Sequence, residues 1–255
     1  MNLYFDELLA SNYKSNSQKI RIISENWVGK NMFCPICGNE HISNLDNNMP
    51  VADLFCGNCG EIFELKSKKG KFGKKIADGS YPTMIERINS ITNPNLFVLQ
   101  YNNAFMVTDL VLIPKFFFVD SVIQKRKPLP STARRSGWVG CNILYSEILN
   151  QGQIKIINNG DVRTANNIVQ EYNKIKALQI NNIENRGWLM DVLSCVNKIK
   201  DFEFVLKDMY SFVDWLQKKH PCNHNVEAKI RQPLQILRNK GVIEFLGNGK
   251  YRKII

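Results

Sequence analysis

Two cysteine pairs in the first quarter of the chain constrain its fold more than any other feature. Cys34 and Cys37 form the first C-x-x-C pair and Cys56 and Cys59 the second, each pair is followed by a glycine, and 18 residues separate them. Two thiolates one tight turn apart span an edge of a tetrahedron, and the glycine permits the dihedrals of that turn. The spacing is typical of a structural Zn²⁺ site with four cysteine ligands. We therefore predict a closed zinc site that stabilises the fold; four ordinary buried cysteines or a redox pair are the alternatives.

Three further cysteines, Cys141, Cys195 and Cys222, belong to neither pair. The odd total of seven argues against a secreted disulfide framework and favours a reducing compartment. His220 and His224 lie close to Cys222, so a second metal site is conceivable. However, no fourth ligand is in sight, and a structural zinc site needs four.

The charge of the chain indicates a polyanionic partner. Its 34 Lys and Arg residues outnumber the 23 Asp and Glu residues, which gives a net charge of +11 over 255 residues. Each phosphate that such a protein neutralises releases condensed counterions, so nucleic acid is the favoured partner. The sequence has no run of about 18 apolar residues, signal peptide or long basic amphipathic helix. We therefore expect no membrane partner and a soluble, cytoplasmic protein.

The order of apolar runs predicts two domains. Short β-leaning runs alternate with helical segments up to about residue 180, which is typical of an α/β (α+β) domain. After polar residues 181–186, helices are predicted at 188–199, 206–218 and 226–240, with an extended piece at 203–205. A hairpin with a glycine-rich tip at 247–249 follows, which completes the pattern of a winged helix. We predict a zinc-containing domain at 1–182 and a winged-helix domain at 183–255.

An acidic pair and a lysine flank the second cysteine pair. Asp53 precedes that pair, and Glu64-Leu65-Lys66 follows it on a predicted strand, where Glu64 and Lys66 share a face. If 50–55 and 61–66 form a hairpin, Asp53 approaches the same face. Asp53, Glu64 and the Leu65 carbonyl then offer oxygen ligands to Mg²⁺, while Lys66 orients or helps to deprotonate a water for attack on phosphorus. A solvated charge ladder is the alternative interpretation.

The acidic pair and the lysine match the PD-(D/E)XK nuclease signature, which begins here at Pro50. More broadly, the chain resembles the methyl-directed type II restriction endonucleases in both cysteine pairs and at 13–19, 50–53, 64–70, 132–135, 137–138, 140–143, 234–238 and 249–253. The resemblance implies Mg²⁺-dependent cleavage of both DNA strands at G-A-T-C sites that carry N6-methyladenine. It also implies catalytic roles for Asp53, Glu64 and Lys66 and zinc ligation by the four paired cysteines. We expect a monomer in the bacterial cytoplasm.

Basic, amide and aromatic residues in three regions are candidates for DNA contacts. Lysines directly after the acidic pair suit contacts with the phosphate backbone. The resemblance implies that Trp138 contacts the adenine methyl groups, although a core tryptophan is the alternative, and the arginines beside it suggest an exposed basic loop. In the winged helix, Arg suits guanine and Gln suits adenine. The candidates are Lys68, Lys69, Arg134, Arg135, Trp138, Lys229, Arg231, Gln232, Arg238, Lys250 and Arg252.

Pro233 departs from the pattern of a recognition helix. A proline in a helix interior removes a hydrogen bond and costs about 3 kcal/mol, so the sequence predicts a kink there. The base specificity of the winged helix is therefore harder to predict than the nuclease chemistry.

Two other functions remain open at this point. A zinc and winged-helix protein can regulate by binding DNA without cutting it. A nuclease of the same motif class can also act on another structure, such as a DNA junction or RNA.

Overall fold

The computed structural model describes residues 1–45, 52–90 and 92–254 and divides into two compact units. The N-terminal unit comprises Met1–Phe118 and Val122–Lys176, and the C-terminal unit comprises Val119–Ser121 and Ala177–Ile255. Pro50 and Val51, at the start of the predicted nuclease signature, lie outside the described residues. Among the residues that are described, no helix is long and apolar enough to cross a membrane.

Ten strands are described in the N-terminal unit, and seven of them form its main sheet. They are β1 (Ser43–Asn44), β2 (Leu54–Phe55), β3 (Ile62–Lys69), β4 (Ile76–Ser80), β5 (Asn95–Tyr101), β6 (Val107–Ile113), β7 (Ile123–Lys125), β8 (Gly140–Ile143), β9 (Ile154–Asn158) and β10 (Asp161–Val162). The order of the main sheet is β1-β2-β3-β5-β6-β9-β10. Only β3 and β5 are parallel. β5 is buried at almost every position, as an apolar strand covered on both faces should be.

Helices cover this sheet. The described helices of the unit are α1 (Asn16–Asn31), α2 (Tyr81–Ile88) and α3 (Ala165–Lys176), with 3-10 turns at Glu7–Ala10, Lys115–Phe117, Tyr145–Glu147 and Asn150–Gly152. A further 3-10 turn, Asp120–Val122, includes residues of both units. α1 buries Ile23, Trp27 and Val28 and lies against β3. α1 begins directly after Ser15, which is its N-cap residue.

A second, antiparallel sheet with the order β4-β8-β7 stands beside the first. The sequence did not predict its strands, because they are short and lack alternating apolar residues. It positions the segment between β7 and β8, which carries Trp138.

The C-terminal unit combines four described helices with a three-stranded sheet. Its elements are α4 (Ile183–Lys198), β11 (Glu203–Val205), α5 (Leu206–Tyr210), α6 (Val213–Lys219), α7 (Val226–Asn239), β12 (Ile243–Gly247) and β13 (Lys250–Lys253). The sheet order is β11-β13-β12. Asn248 and Gly249 join the last two strands, and both have positive φ, as a two-residue hairpin turn requires. Mixed helices and strands in both units confirm the predicted fold class.

One local prediction in this unit is wrong. The helix expected over 206–218 is broken, because Ser211 N–H bonds the Asp208 carbonyl and Phe212 N–H bonds the Met209 carbonyl, which tightens the chain into a turn. The helix predicted over 226–240 is confirmed as α7, which is continuous through Pro233. The proline ring is buried on the apolar face of the helix, and this burial offsets the missing hydrogen bond.

Candidate active site and zinc site

The four paired cysteines converge on one point. The Cys34 and Cys59 sulfurs are 3.7 Å apart, those of Cys37 and Cys56 are 3.6 Å apart, and all four lie within 4.8 Å of one another. A tetrahedral zinc with Zn–S bonds of about 2.3 Å places its sulfurs about 3.8 Å apart. The donor set and its spacing therefore fit Zn²⁺, which when bound would cross-link the two turns.

Both cysteine pairs are held in the same kind of turn. The N–H of Gly38 donates to the Cys34 carbonyl, and the N–H of Gly60 donates to the Cys56 carbonyl, each at 2.9 Å. Both glycines have positive φ (78° and 72°), which disfavours other residues. Burial would raise the pKa of Cys37, but hydrogen bonds from Asn58 and the backbone lower it to about 7. In contrast, burial raises the pKa of Cys34 and that of Cys59.

The second cysteine pair forms the turn of the predicted hairpin. β2 pairs with β3 in antiparallel register, with Leu54 opposite Phe63 and Phe55 opposite Ile62. The hairpin prediction is confirmed for these residues. The zinc site therefore lies between Asp53 on one arm and Glu64 on the other.

Most of β3 has a neighbouring strand on one side only. β2 pairs with just Ile62 and Phe63, whereas β5 pairs from Phe63 to Lys69, so within the described structure residues 64–69 present one open edge. Asp53 lies against this edge: its N–H donates to the Phe63 carbonyl at 3.0 Å, and its Oδ2 accepts from the Leu65 N–H at 2.8 Å. The C=O and N–H of a strand residue point to the same side, so the Leu65 carbonyl also faces the open edge.

Glu64 and Lys66 share a face of β3, as predicted. The Lys66 Nζ is 2.6 Å from Glu64 Oε1 and 2.7 Å from Asp78 Oδ1 on β4. Burial raises the pKa of Glu64, an effect that Lys66 opposes. Burial alone would lower the pKa of Lys66, but the two carboxylates raise it above its ordinary value. Lys66 is therefore a cation at neutral pH.

Helix α1 brings two more charged groups to the site. Arg21 Nη2 is 3.5 Å from Asp53 Oδ1, and Arg21 Nε donates to Glu25 Oε1 at 2.6 Å. Burial raises the pKa of Glu25, and the nearby carboxylate of Asp53 adds to this increase. Carboxylates crowded in this way attract a cation. The carboxylates of Asp53 and Glu64 and the carbonyl of Leu65 are oxygen ligands of the kind that Mg²⁺ prefers.

The sequence did not predict that Arg21, Glu25 and Asp78 belong to this site. They belong to elements far from the nuclease motif in the chain, and no local spacing marks them.

A groove with a volume of about 840 Å³ opens beside the edge of β3. α1, β3 and residues 72–77 line it. Lys68 and Lys69, both predicted to contact DNA, are exposed there. The basic lining residues, Arg21, Lys66, Lys68, Lys69 and Lys75, outnumber the one acidic lining residue, Glu25. This excess of positive charge suits a phosphodiester backbone.

Trp138 lies near the base of the loop between β7 and β8. Its carbonyl accepts from the Leu129 N–H at 2.9 Å, and the guanidinium of Arg135 lies 5.1 Å from the centre of its ring. The indole is half-buried, while Arg134 and Arg135 are exposed, as expected for a basic loop. A Cβ atom at Gly140 would lie 2.8 Å from the ring, so the indole is packed against a position that requires glycine.

The candidate DNA contacts of α7 differ in their availability. Gln232 and Arg238 are exposed, and Arg231 is exposed but donates to the Tyr210 hydroxyl at 3.1 Å. Lys229 is partly buried and donates to the Asn185 side chain at 3.4 Å. Among these candidates, the exposed side chains are therefore one amide and two guanidinium groups.

Two basic residues of the wing, Lys250 and Arg252, are already paired with carboxylates. Lys250 Nζ is 2.6 Å from Glu203 Oε2, and Arg252 Nη2 is 2.8 Å from Glu203 Oε1. Arg252 also contacts Glu244 at 3.2 Å. A phosphate that binds either cation must compete with these acidic groups.

The structure brings together no second metal site at His220, Cys222 and His224. In the described part of the chain, the four paired cysteines are the only cluster of three or more potential ligands. His220 instead contacts Asp191 Oδ2 through Nε2 at 2.9 Å and stacks on Trp188. That ring nitrogen is therefore occupied by a carboxylate.

Comparison with known families gives two matches, which together span nearly the whole chain. A family model described as DpnI, the Dam-replacing family, matches residues 1–181. A second model, described as the Dam-replacing HTH domain, matches residues 184–253. The first match includes the zinc site, the open edge of β3 and the Trp138 loop, and the second includes α7 and the wing.

Proposed function

The chain belongs to the DpnI (Dam-replacing) family of methyl-directed restriction enzymes, and we propose that it cuts both strands of DNA at G-A-T-C sites that carry N6-methyladenine. In this proposal Mg²⁺ is the catalytic cofactor, Zn²⁺ is structural, and the enzyme acts as a monomer in the bacterial cytoplasm. The observation that supports the nuclease chemistry is that Asp53 binds the Leu65 N–H at the open edge of β3, while Glu64 and Lys66 contact each other on the adjacent face.

The proposed metal ligands are the carboxylates of Asp53 and Glu64 and the carbonyl of Leu65. Bound there, Mg²⁺ would neutralise charge on the phosphate and make an attacking water more acidic. Asp53 is held for this role by its bond to the Leu65 N–H and by Arg21. Asp53 and Glu64 belong to one hairpin, so strand pairing fixes the distance between them.

In this proposal Lys66 acts as a positively charged hydrogen-bond donor rather than as a base. Burial would lower its pKa, but the carboxylates of Glu64 and Asp78 raise it, which favours the ammonium form. It can donate hydrogen bonds to a phosphate oxygen and offset the negative charge that develops in the transition state. This interpretation favours orientation over deprotonation for the lysine.

DNA recognition is proposed to involve both units. In the N-terminal unit, Trp138 contacts the methyl groups, Arg134 and Arg135 contact the DNA near it, and Lys68 and Lys69 hold the backbone. In the C-terminal unit the proposed contacts are Lys229, Arg231, Gln232, Arg238, Lys250 and Arg252. The exposed guanidinium and amide groups of α7 can donate to base edges in a major groove.

Digestion of three matched oligonucleotide duplexes tests the proposal. The duplexes carry G-A-T-C without methylation, with one methylated strand or with two, and are incubated with Mg²⁺ and the zinc-loaded protein. We expect cleavage of fully methylated DNA, none of unmethylated DNA, and a hemimethylated rate that defines the requirement for each methyl group. Binding without cleavage would indicate a DNA-binding regulator, and preferential cleavage of a junction or RNA competitor would indicate another substrate.

Gly140→Ala is expected to weaken methyl selectivity without disturbing the metal ligands. The new Cβ would lie 2.8 Å from the Trp138 ring, so the indole must move. We expect the ratio of cleavage rates on methylated and unmethylated duplexes to fall by about 5–150-fold, because one well-placed contact contributes about 1–3 kcal/mol of discrimination. Gly73→Ala, where a Cβ meets open space, is the matched control. A folded Gly140→Ala protein with the wild-type ratio would argue against a role for Trp138 in methyl recognition.

A further inference from the structure

The ammonium of Lys66 is held by a carboxylate that lies outside the nuclease motif. Asp78 Oδ1 accepts from Lys66 Nζ at 2.7 Å and also from the Gly79 N–H at 2.7 Å. The Asp78 side chain is only 6% exposed. A contact of this kind, between a buried carboxylate and a lysine 12 residues away in sequence, depends on the fold and not on the local strand.

The sheet fixes the position of Asp78. Asp78 on β4 pairs with Cys141 on β8, and the register becomes irregular between Asp78 and Ser80. Asp78 Oδ2 is buried and has no hydrogen-bond partner among the described residues. Burying a carboxylate oxygen without a partner costs free energy, so the position of Asp78 is not explained by stability alone.

Glu64 is less able to hold Lys66 when its oxygen atoms bind a metal ion. In the structure it contacts Lys66, but in the proposed function its oxygen atoms are metal ligands. When they serve the metal, Asp78 is the carboxylate that still holds the lysine. An ammonium has three N–H groups, so fixing one of them on Asp78 restricts the directions of the others.

We propose that Asp78 is a positioning residue for the nuclease reaction, which anchors the Lys66 ammonium so that its remaining N–H groups point towards the scissile phosphate. Asp78 touches neither DNA nor metal in this arrangement and acts through Lys66. This inference rests on the proposed function of the site.

The experiment compares Asp78→Ala and Asp78→Asn with the wild type in single-turnover cleavage of the fully methylated duplex. Affinity for the same duplex is measured without Mg²⁺, and the Mg²⁺ concentration for half-maximal rate is measured separately. We expect Asp78→Ala to cut about 10–100-fold more slowly, since a misplacement of about 1 Å can cost 10²-fold. Asp78→Asn keeps an oxygen that can accept from Lys66, so we expect it to recover most of the rate. DNA affinity and the Mg²⁺ midpoint should change less than about twofold.

The control is Asp109→Ala, which removes a carboxylate that accepts from the Asn159 N–H at 3.2 Å and lies on β6, two strands from β3 in the sheet. An unchanged rate in Asp78→Ala would overturn the inference. So would a loss that follows weaker DNA binding, or a large rise in the Mg²⁺ midpoint, which would make Asp78 a metal ligand. A wild-type protein that binds methylated DNA without cutting it would instead overturn the proposed function, and the inference with it.

Discussion

Lys66→Met is expected to reduce the single-turnover cleavage rate of methylated DNA by about 10³-fold while leaving DNA affinity within a few-fold of wild type. The lysine is held as a cation between Glu64 and Asp78, and its loss removes a donor and a positive charge where the transition state gains negative charge. Removing one such pre-positioned donor from an active site costs about 10²–10³-fold in rate. The upper end is expected here because two carboxylates also lose their counter-charge.

Lys68→Met is the matched comparison for this prediction. Lys68 lies two residues further along the same strand, is exposed and has no carboxylate among its hydrogen-bonding or ion-pair contacts in the described structure. We expect this variant to weaken DNA binding and to reduce the dependence of the affinity on salt by about one phosphate contact, with little change in the rate at saturation. Thermal melting of both proteins separates these effects from unfolding. Equal rate losses in the two variants would contradict a special role for Lys66.

The arrangement of Asp53, Glu64 and Lys66 was accessible from sequence because the residues that organise it are local. Two C-x-x-C pairs fix a turn, the turn fixes a hairpin, and a two-residue spacing puts Glu64 and Lys66 on one face. Each step depends on distances of a few residues. The catalytic and metal-binding roles of these side chains remain proposals for the variants to test.

Long-range parts of the site could not be predicted in this way. Arg21 and Glu25 reach Asp53 because α1 packs on β3, and Asp78 reaches Lys66 because β4 pairs with a strand more than 60 residues later. β4 has an aspartate, a glycine and two small residues in five positions, so neither strand propensity nor alternation identifies it. Tertiary packing alone assembles this half of the site.

Pro233 is a second case in which tertiary packing, and not residue type, decides the local structure. Propensity disfavours a proline inside α7, yet the helix is continuous there and the position falls on the buried face with Ile230, Leu234 and Leu237. Apolar burial of roughly 1.5–3 kcal/mol for a large side chain is comparable with the cost of an interior proline. The local rule includes the cost of an interior proline but not the contribution of its burial.

Removal of zinc is expected to unfold the β2–β3 hairpin and to abolish cleavage. The zinc-binding turn joins the strand next to Asp53 to the strand of Glu64, so loss of the metal frees the two arms of the proposed Mg²⁺ site from each other. A ligand present at about 1,000 times its Kd contributes about 4 kcal/mol to stability. In a domain of this size each kcal/mol changes Tm by about 2–4 °C, so we expect Tm to fall by about 10 °C. Differential scanning calorimetry of holo and zinc-depleted protein measures this change.

Cys34→Ser tests the same prediction without a chelator, and Cys222→Ser is its control, because Cys222 is exposed and far from the cluster in sequence. We expect only the first to lose zinc and stability. Amide hydrogen exchange locates the effect: protection of the Leu65 N–H, which depends on Asp53, should fall together with that of β3. An apo-zinc protein with an unchanged melting curve and protected β3 amides would contradict this role.

Order of addition separates the two metals. A protein freed only of Mg²⁺ keeps its hairpin, so Mg²⁺ alone should restore full cleavage at once. A protein freed of zinc has lost the spacing between Asp53 and Glu64, and excess Mg²⁺ should not restore it, because hard oxygen-preferring cations do not bind four thiolates well. Zinc must be returned first, and recovery of cleavage should follow recovery of the hairpin. Full recovery with Mg²⁺ alone would show that the catalytic edge forms independently of the cysteine site.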